Sequence, residues 1–105
     1  MRYFPVFLDT RSLHCLIVGA GEVAARKLEL ILKSEAQVTV VAPDICNTVA
    51  SYAEHSQVSI QQRPFDEKDL AGADIAFVAT SDEALNAHIR HLGDKYNVLV
   101  NVVDN

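Results

Sequence analysis

The sequence predicts an α/β fold, a doubly wound parallel sheet of about five strands with flanking helices. Three observations predict it. Short apolar, β-branched runs alternate with helix-compatible segments between His14 and Val103. Half of the 105 residues are hydrophobic, which suits a sheet buried on both faces. Finally, Leu16–Ala24 reads Leu-Ile-Val-Gly-Ala-Gly-Glu-Val-Ala, a glycine turn set between a strand and a helix.

Taken in order, Phe4–Leu8 reads as a short strand closed by the polar turn Asp9-Thr10-Arg11-Ser12, and His14–Val18 as the first core strand. Glu22 to about Ser34 is a helix. Ala24, Leu28, Ile31 and Leu32 share its apolar face, while Arg26, Glu29 and Lys33 fall largely outside it. Gln37–Val41 is β-branched and forms the second strand. Asn47–His55 reads as a short helix and Val58–Gln62 as the third strand. Pro64 breaks the chain, and Asp66–Leu70 forms one helical turn. Ile75–Ala79 is a fourth strand. Thr80 and Glu83 have capping-box spacing for a helix from about Asp82 to Lys95. Val98–Val103 is the fifth strand. With no repeat, low-complexity tract or linker, residues 1–105 read as one domain.

The Gly-x-Gly-x-x-Ala run carries the chemistry. Gly19 makes the tight turn, Gly21 lets a pyrophosphate approach the backbone, and Ala24 lets the helix lie close on the sheet. The N–H groups and positive dipole end of that helix then face the anion. Glycines alone would fit any tight strand-to-helix turn of an α/β protein. Placed after a strand and before a helix, they point to a Rossmann-like, NAD(P)-binding domain.

An acid at the end of the second strand ordinarily accepts from the adenosine ribose. Here the segment is Val40-Val41-Ala42-Pro43-Asp44, and Asp44 is the nearest acid, two or three residues late. It is either a ribose ligand or a solvated loop acid. No Lys or Arg lies between Lys33 and Arg63 to neutralise a 2′-phosphate, which favours NAD over NADP. Arg63 or a partner chain remains a possible source of that charge. Thr80 has two available roles, capping its helix or hydrogen-bonding a ribose. Asn101 either orients the nicotinamide side or bonds a neighbouring backbone group.

Other classes are disfavoured. A net charge of -5 offers no basic stripe for nucleic acid and none for an anionic membrane surface. Met1-Arg2-Tyr3-Phe4-Pro5 lacks the apolar region of a signal peptide, and no run is long enough to span a bilayer. Cys15 and Cys46 have no paired spacing, as expected of a reduced cytoplasmic protein. His88 and His91 are three apart on a helix, but no third ligand completes a site, so no metal is expected.

The chain resembles, from end to end, the amino-terminal NAD-binding domain of the siroheme synthase family, the precorrin-2 dehydrogenases and sirohydrochlorin ferrochelatases. The resemblance rests on Phe4-Pro5-Val6-Phe7, Cys15 to Ala24, Arg26-Lys27, Pro64-Phe65-Asp66, Ala79-Thr80-Ser81-Asp82 and Asn101-Val102-Val103-Asp104. Asn105 departs from the small residue common there. The resemblance implies NAD-dependent oxidation of precorrin-2 to sirohydrochlorin, with ferrous iron insertion in many members. It implies a catalytic role for Asp104 and cofactor contacts at Glu22, Val23, Pro43 and Asp44. It also implies a homodimer, and a helical region beyond Asn105 that supplies further substrate contacts. The chain is therefore expected to be the first part of a longer protein or a truncated piece, binding NAD but turning over little precorrin-2 alone. The rival reading is a non-catalytic NAD-sensing regulatory domain, which would need no Asp104.

Overall fold

The computed structural model describes residues 6–103. The elements are β1 (His14–Val18), α1 (Glu22–Ile31), β2 (Gln37–Ala42), α2 (Asn47–Ala50), β3 (Val58–Gln62), a 3₁₀ turn (Glu67–Leu70), β4 (Ile75–Val78), α3 (Glu83–Tyr96) and β5 (Leu99–Val102). All strands are parallel, in the order β3-β2-β1-β4-β5. The chain winds outward to β3, then crosses back past β1 to β4. The loops after β1 and β4 consequently leave on opposite faces, which opens a crevice at the carboxyl ends of these strands.

Alternation along β1 builds two cores. Cys15 and Ile17 pack with Ala24, Leu28 and Ile31 of α1 and Val49 of α2. Leu16 and Val18 pack on the other face with Ile89 and Leu92 of α3. Because β1 is central and buried on both faces, its apolar run has no polar position between Cys15 and Val18. Leu28 is wholly buried, and its truncation to Ala would cost about 2–5 kcal/mol.

Several expected boundaries move. The strand expected over Phe4–Leu8 begins outside the described residues, and Val6 to Leu8 form no strand and are exposed. α1 stops at Ile31, three residues early, because Ser34 turns its hydroxyl onto the Ile31 carbonyl at 2.6 Å. α2 ends at Ala50 instead of His55. There Ser51 Oγ donates to the Thr48 carbonyl, and Tyr52, Ala53 and His55 bond three residues back in tight turns. β4 and β5 are each shorter than expected, although Ala79 N–H still donates to Val18 O and Val103 N–H to Val78 O, both at 2.8 Å. The N-cap of α3 is Asp82, whose carboxylate accepts from Leu85 N–H at 3.0 Å. Thr80 does not cap it.

Candidate functional site

The carboxyl ends of β1, β2 and β4 surround a cleft of about 570 Å³. Gly19, Gly21, Glu22, Val23, Pro43, Asp44 and Thr80, all singled out from the sequence, line it. Asn101 does not: it is exposed on β5 opposite Phe77. Asp104 lies outside the described residues, but Val103 before it lines the cleft.

Main-chain bonds hold the three walls together. Gly19 N–H donates to Val41 O at 2.9 Å, and Cys46 N–H donates to Ala20 O at 2.9 Å. Gly19 has φ +110°, and a Cβ there would stand 2.5 Å from Ala79 O. Glycine is thus demanded twice at this turn, by conformation and by the β4 backbone. Gly21 differs. Its φ is -91°, and an added Cβ would meet no atom of the described residues within 4 Å. Among the described residues no atom accounts for the missing side chain; the bare backbone faces the cleft.

Gly21 is also the N-cap of α1 and brings no side-chain hydrogen bond to it. The first-turn N–H groups of Glu22, Val23 and Ala24 therefore have no partner inside the helix. They are oriented to receive an anion, helped by the helix dipole. Among the described residues, the lining carries Glu22, Asp44 and Asp82 and no Lys, Arg or His. The groups on this lining that attract an anion are therefore the backbone N–H groups of the helix start. These features fit a dinucleotide whose diphosphate meets the helix tip and whose ends lie toward Pro43–Asp44 and toward Val103.

Thr80 is engaged within its own loop. Its hydroxyl donates to Asn86 Oδ1 and accepts from Asp82 N–H at 3.1 Å, while Asn86 Nδ2 donates to Thr80 O at 3.0 Å. Asn86 was not signalled by any motif; the six-residue spacing across a helix start has no periodic signature. The apolar lining from Phe65 and Leu85 was missed for a similar reason, since it depends on loop and helix placement.

Next to the cleft, Arg63 donates to both Asp69 oxygens, at 2.6 and 2.9 Å. Burial by itself raises the Asp69 pKa, but the hydrogen bonds from Arg63 and from Asp66 N–H, with the Arg63 charge, outweigh it and leave the value lowered. The Cys15 thiol is buried, and that burial, then the Asp74 charge, raises its pKa and disfavours the thiolate. Among the described residues no three His, Cys, Asp or Glu side chains gather to hold a metal, and no helix is long and apolar enough to cross a membrane.

Comparison with known proteins agrees with this geometry. Residues 6–105 match the family described as "Putative NAD(P)-binding". The chain is 53% identical over 105 residues to a siroheme synthase of Pseudoalteromonas atlantica, covering all of this chain and 23% of that one. It is 38% identical over 104 residues to a siroheme synthase of Nitrosococcus oceani, covering 99% of this chain and 22% of that one. The solved structure of SirC, precorrin-2 dehydrogenase, superposes with a TM-score of 0.85 at 29% identity, covering 98% of this chain and 50% of that one. The chain thus spans less than a quarter of the length of these siroheme synthases. With its glycine loop, its sheet order and a match over residues 6–105, the chain belongs to this NAD(P)-binding family, and it is similar along its length to part of these siroheme synthases.

Proposed function

We propose that this chain is the NAD-binding part of a longer cytoplasmic, homodimeric enzyme that oxidises precorrin-2 to sirohydrochlorin, with ferrous iron insertion to sirohaem as a further step. The observation that carries this reading is the open backbone at Gly21 beside the uncapped tip of α1, in a chain similar along its length to siroheme synthases. Bound NAD supplies the hydride acceptor. The N–H groups of Glu22, Val23 and Ala24 hold the diphosphate. Asp44 accepts from the adenosine ribose, with Pro43 and Phe65 along the adenine side. The Thr80 hydroxyl directs its hydrogen to Asn86 Oδ1, so toward a ribose hydroxyl its oxygen acts as the acceptor.

Oxidation also releases a proton, and Asp104 is the proposed base. A carboxylate with an ordinary pKa near 3.9 is ionised at neutral pH. A positioned base contributes a factor of about 10² to 10⁴. Iron entry displaces pyrrole protons, so the same carboxylate serves both steps. Precorrin-2 carries several carboxylates, whereas the described lining carries three acids and no cation. The cations that recognise the substrate are therefore assigned to the rest of the longer protein and to a dimer partner.

The test uses the full-length protein with precorrin-2 and NAD, following NADH by absorbance and coenzyme binding by calorimetry. Asp104→Ala is expected to remove turnover by a factor of about 10² or more while NAD still binds. NAD binding without turnover of precorrin-2 by the unaltered protein would favour the sensing domain.

A further inference from the structure

β3 lies beside β2 in a register that pairs Ala42 with Gln62. Just past that pair, Gln62 Nε2 donates to Pro43 O at 3.3 Å. Pro43 and Asp44 line the cleft on one strand end; Pro64 and Phe65 line it on the other. Arg63, between Gln62 and Pro64, is not among the lining residues. Its guanidinium is turned onto Asp69, with two hydrogen bonds to the carboxylate and a third to the Pro64 carbonyl at 3.1 Å. Asp69 is fixed from its other side as well, since Oδ2 accepts from Asp66 N–H at 2.8 Å in the capping box of the 3₁₀ turn. The Asp69 side chain is only 11% exposed, and that of Arg63 42%.

We propose that Asp69 withholds Arg63 from the adenosine end of the cleft and thereby sets coenzyme preference, admitting a free ribose 2′-hydroxyl and rejecting a 2′-phosphate. The proposal rests on the NAD-binding reading above. A 2′-phosphate beside Asp44 meets a carboxylate in a lining that has no cation among the described residues. Arg63 is the basic side chain next to that lining along the chain. To reach the phosphate it must abandon a bidentate partner and leave a little-exposed carboxylate without its cation, which is costly. NAD makes no such demand. Neutralising Asp69 removes the competitor, and a freed guanidinium is suited to bidentate phosphate recognition.

Asp69→Asn keeps an oxygen for Asp66 N–H while removing the charge that binds Arg63; Asp69→Ser keeps a smaller acceptor, should the first variant fold poorly. Calorimetric titration of the chain with NAD and with NADP is expected to show NADP affinity raised about tenfold or more in either variant, the scale of one hydrogen bond to a charged group. NAD affinity is expected to stay within about twofold, because no contact to NAD is removed. Adding Arg63→Gln should return NADP affinity to its starting value. An unchanged NADP affinity in variants that bind NAD normally would overturn the proposal, as would a gain that survives Arg63→Gln. If the unaltered chain binds neither coenzyme, the NAD-binding reading itself fails and takes this proposal with it.

Discussion

Gly19 sits against the backbone of Ala79 so closely that a methyl group on it would lie 2.5 Å from the Ala79 oxygen. The first glycine of the loop is therefore a structural joint between β1 and β4. Gly19→Ala must relieve both this overlap and a φ of +110°, and the expected loss is about 2–5 kcal/mol. Denaturant unfolding measures it. A loss below about 0.5 kcal/mol, the scale of a neutral surface change, would contradict the joint.

Gly21 predicts the opposite separation. An added Cβ meets no atom of the described residues, and the position is an N-cap, where Ala in place of Gly costs only about 0.5–1 kcal/mol. Gly21→Ala should therefore fold nearly as well as the natural chain. Its NAD affinity should nevertheless fall about tenfold or more, because the methyl group occupies the approach of the diphosphate. Calorimetry beside a thermal melt distinguishes the two effects.

Acid should weaken the Arg63–Asp69 pair selectively. Asp69 has a folded pKa below its ordinary value of 3.8. Its contribution to stability is thus complete above about pH 4 and is lost as pH falls through the lowered folded value. Asp69→Asn should be less stable than the natural chain at pH 7, and the gap should close as pH drops below that value. A gap that persists unchanged in acid would mean the pair contributes through packing alone.

Gly93 is buried in α3 where the helix lies on β5; a Cβ there would stand 2.7 Å from Val100 Cγ2 and 3.0 Å from Val98 O. Overpacking costs about 1–3 kcal/mol, and the better helix propensity of Ala returns about 1 kcal/mol. Gly93→Ala should therefore be destabilised by up to about 2 kcal/mol on balance. Combining it with Val100→Ala should cost less than the sum of the two single changes, measured by a double-variant cycle.

Much of the fold was legible because the strands are either fully buried runs or β-branched segments bounded by turn residues. β1 and β3 match their expected limits at both ends. α2 was overextended, since nothing in Ser51-Tyr52-Ala53-Glu54 marks the shift from helical to tighter bonding. The cap of α3 was misplaced because Thr80 and Asp82 are both good capping types, and only the turn in space decides between them. In the cleft, the glycines and the β2 end were readable from motif and topology. The Thr80–Asn86 and Arg63–Asp69 contacts were not, since each crosses an irregular turn without a repeating period.

Central β1 pairs with β4 across some sixty residues, Cys15 with Ile75 through Val18 with Val78. A chain emerging from the ribosome cannot complete the glycine loop when that loop is made, because its far wall arrives only with Ala79. Such distant pairing slows folding and makes nucleotide capture a late event. Coenzyme retention in a nascent or damaged chain would thus report that the whole β1–β4 seam has closed.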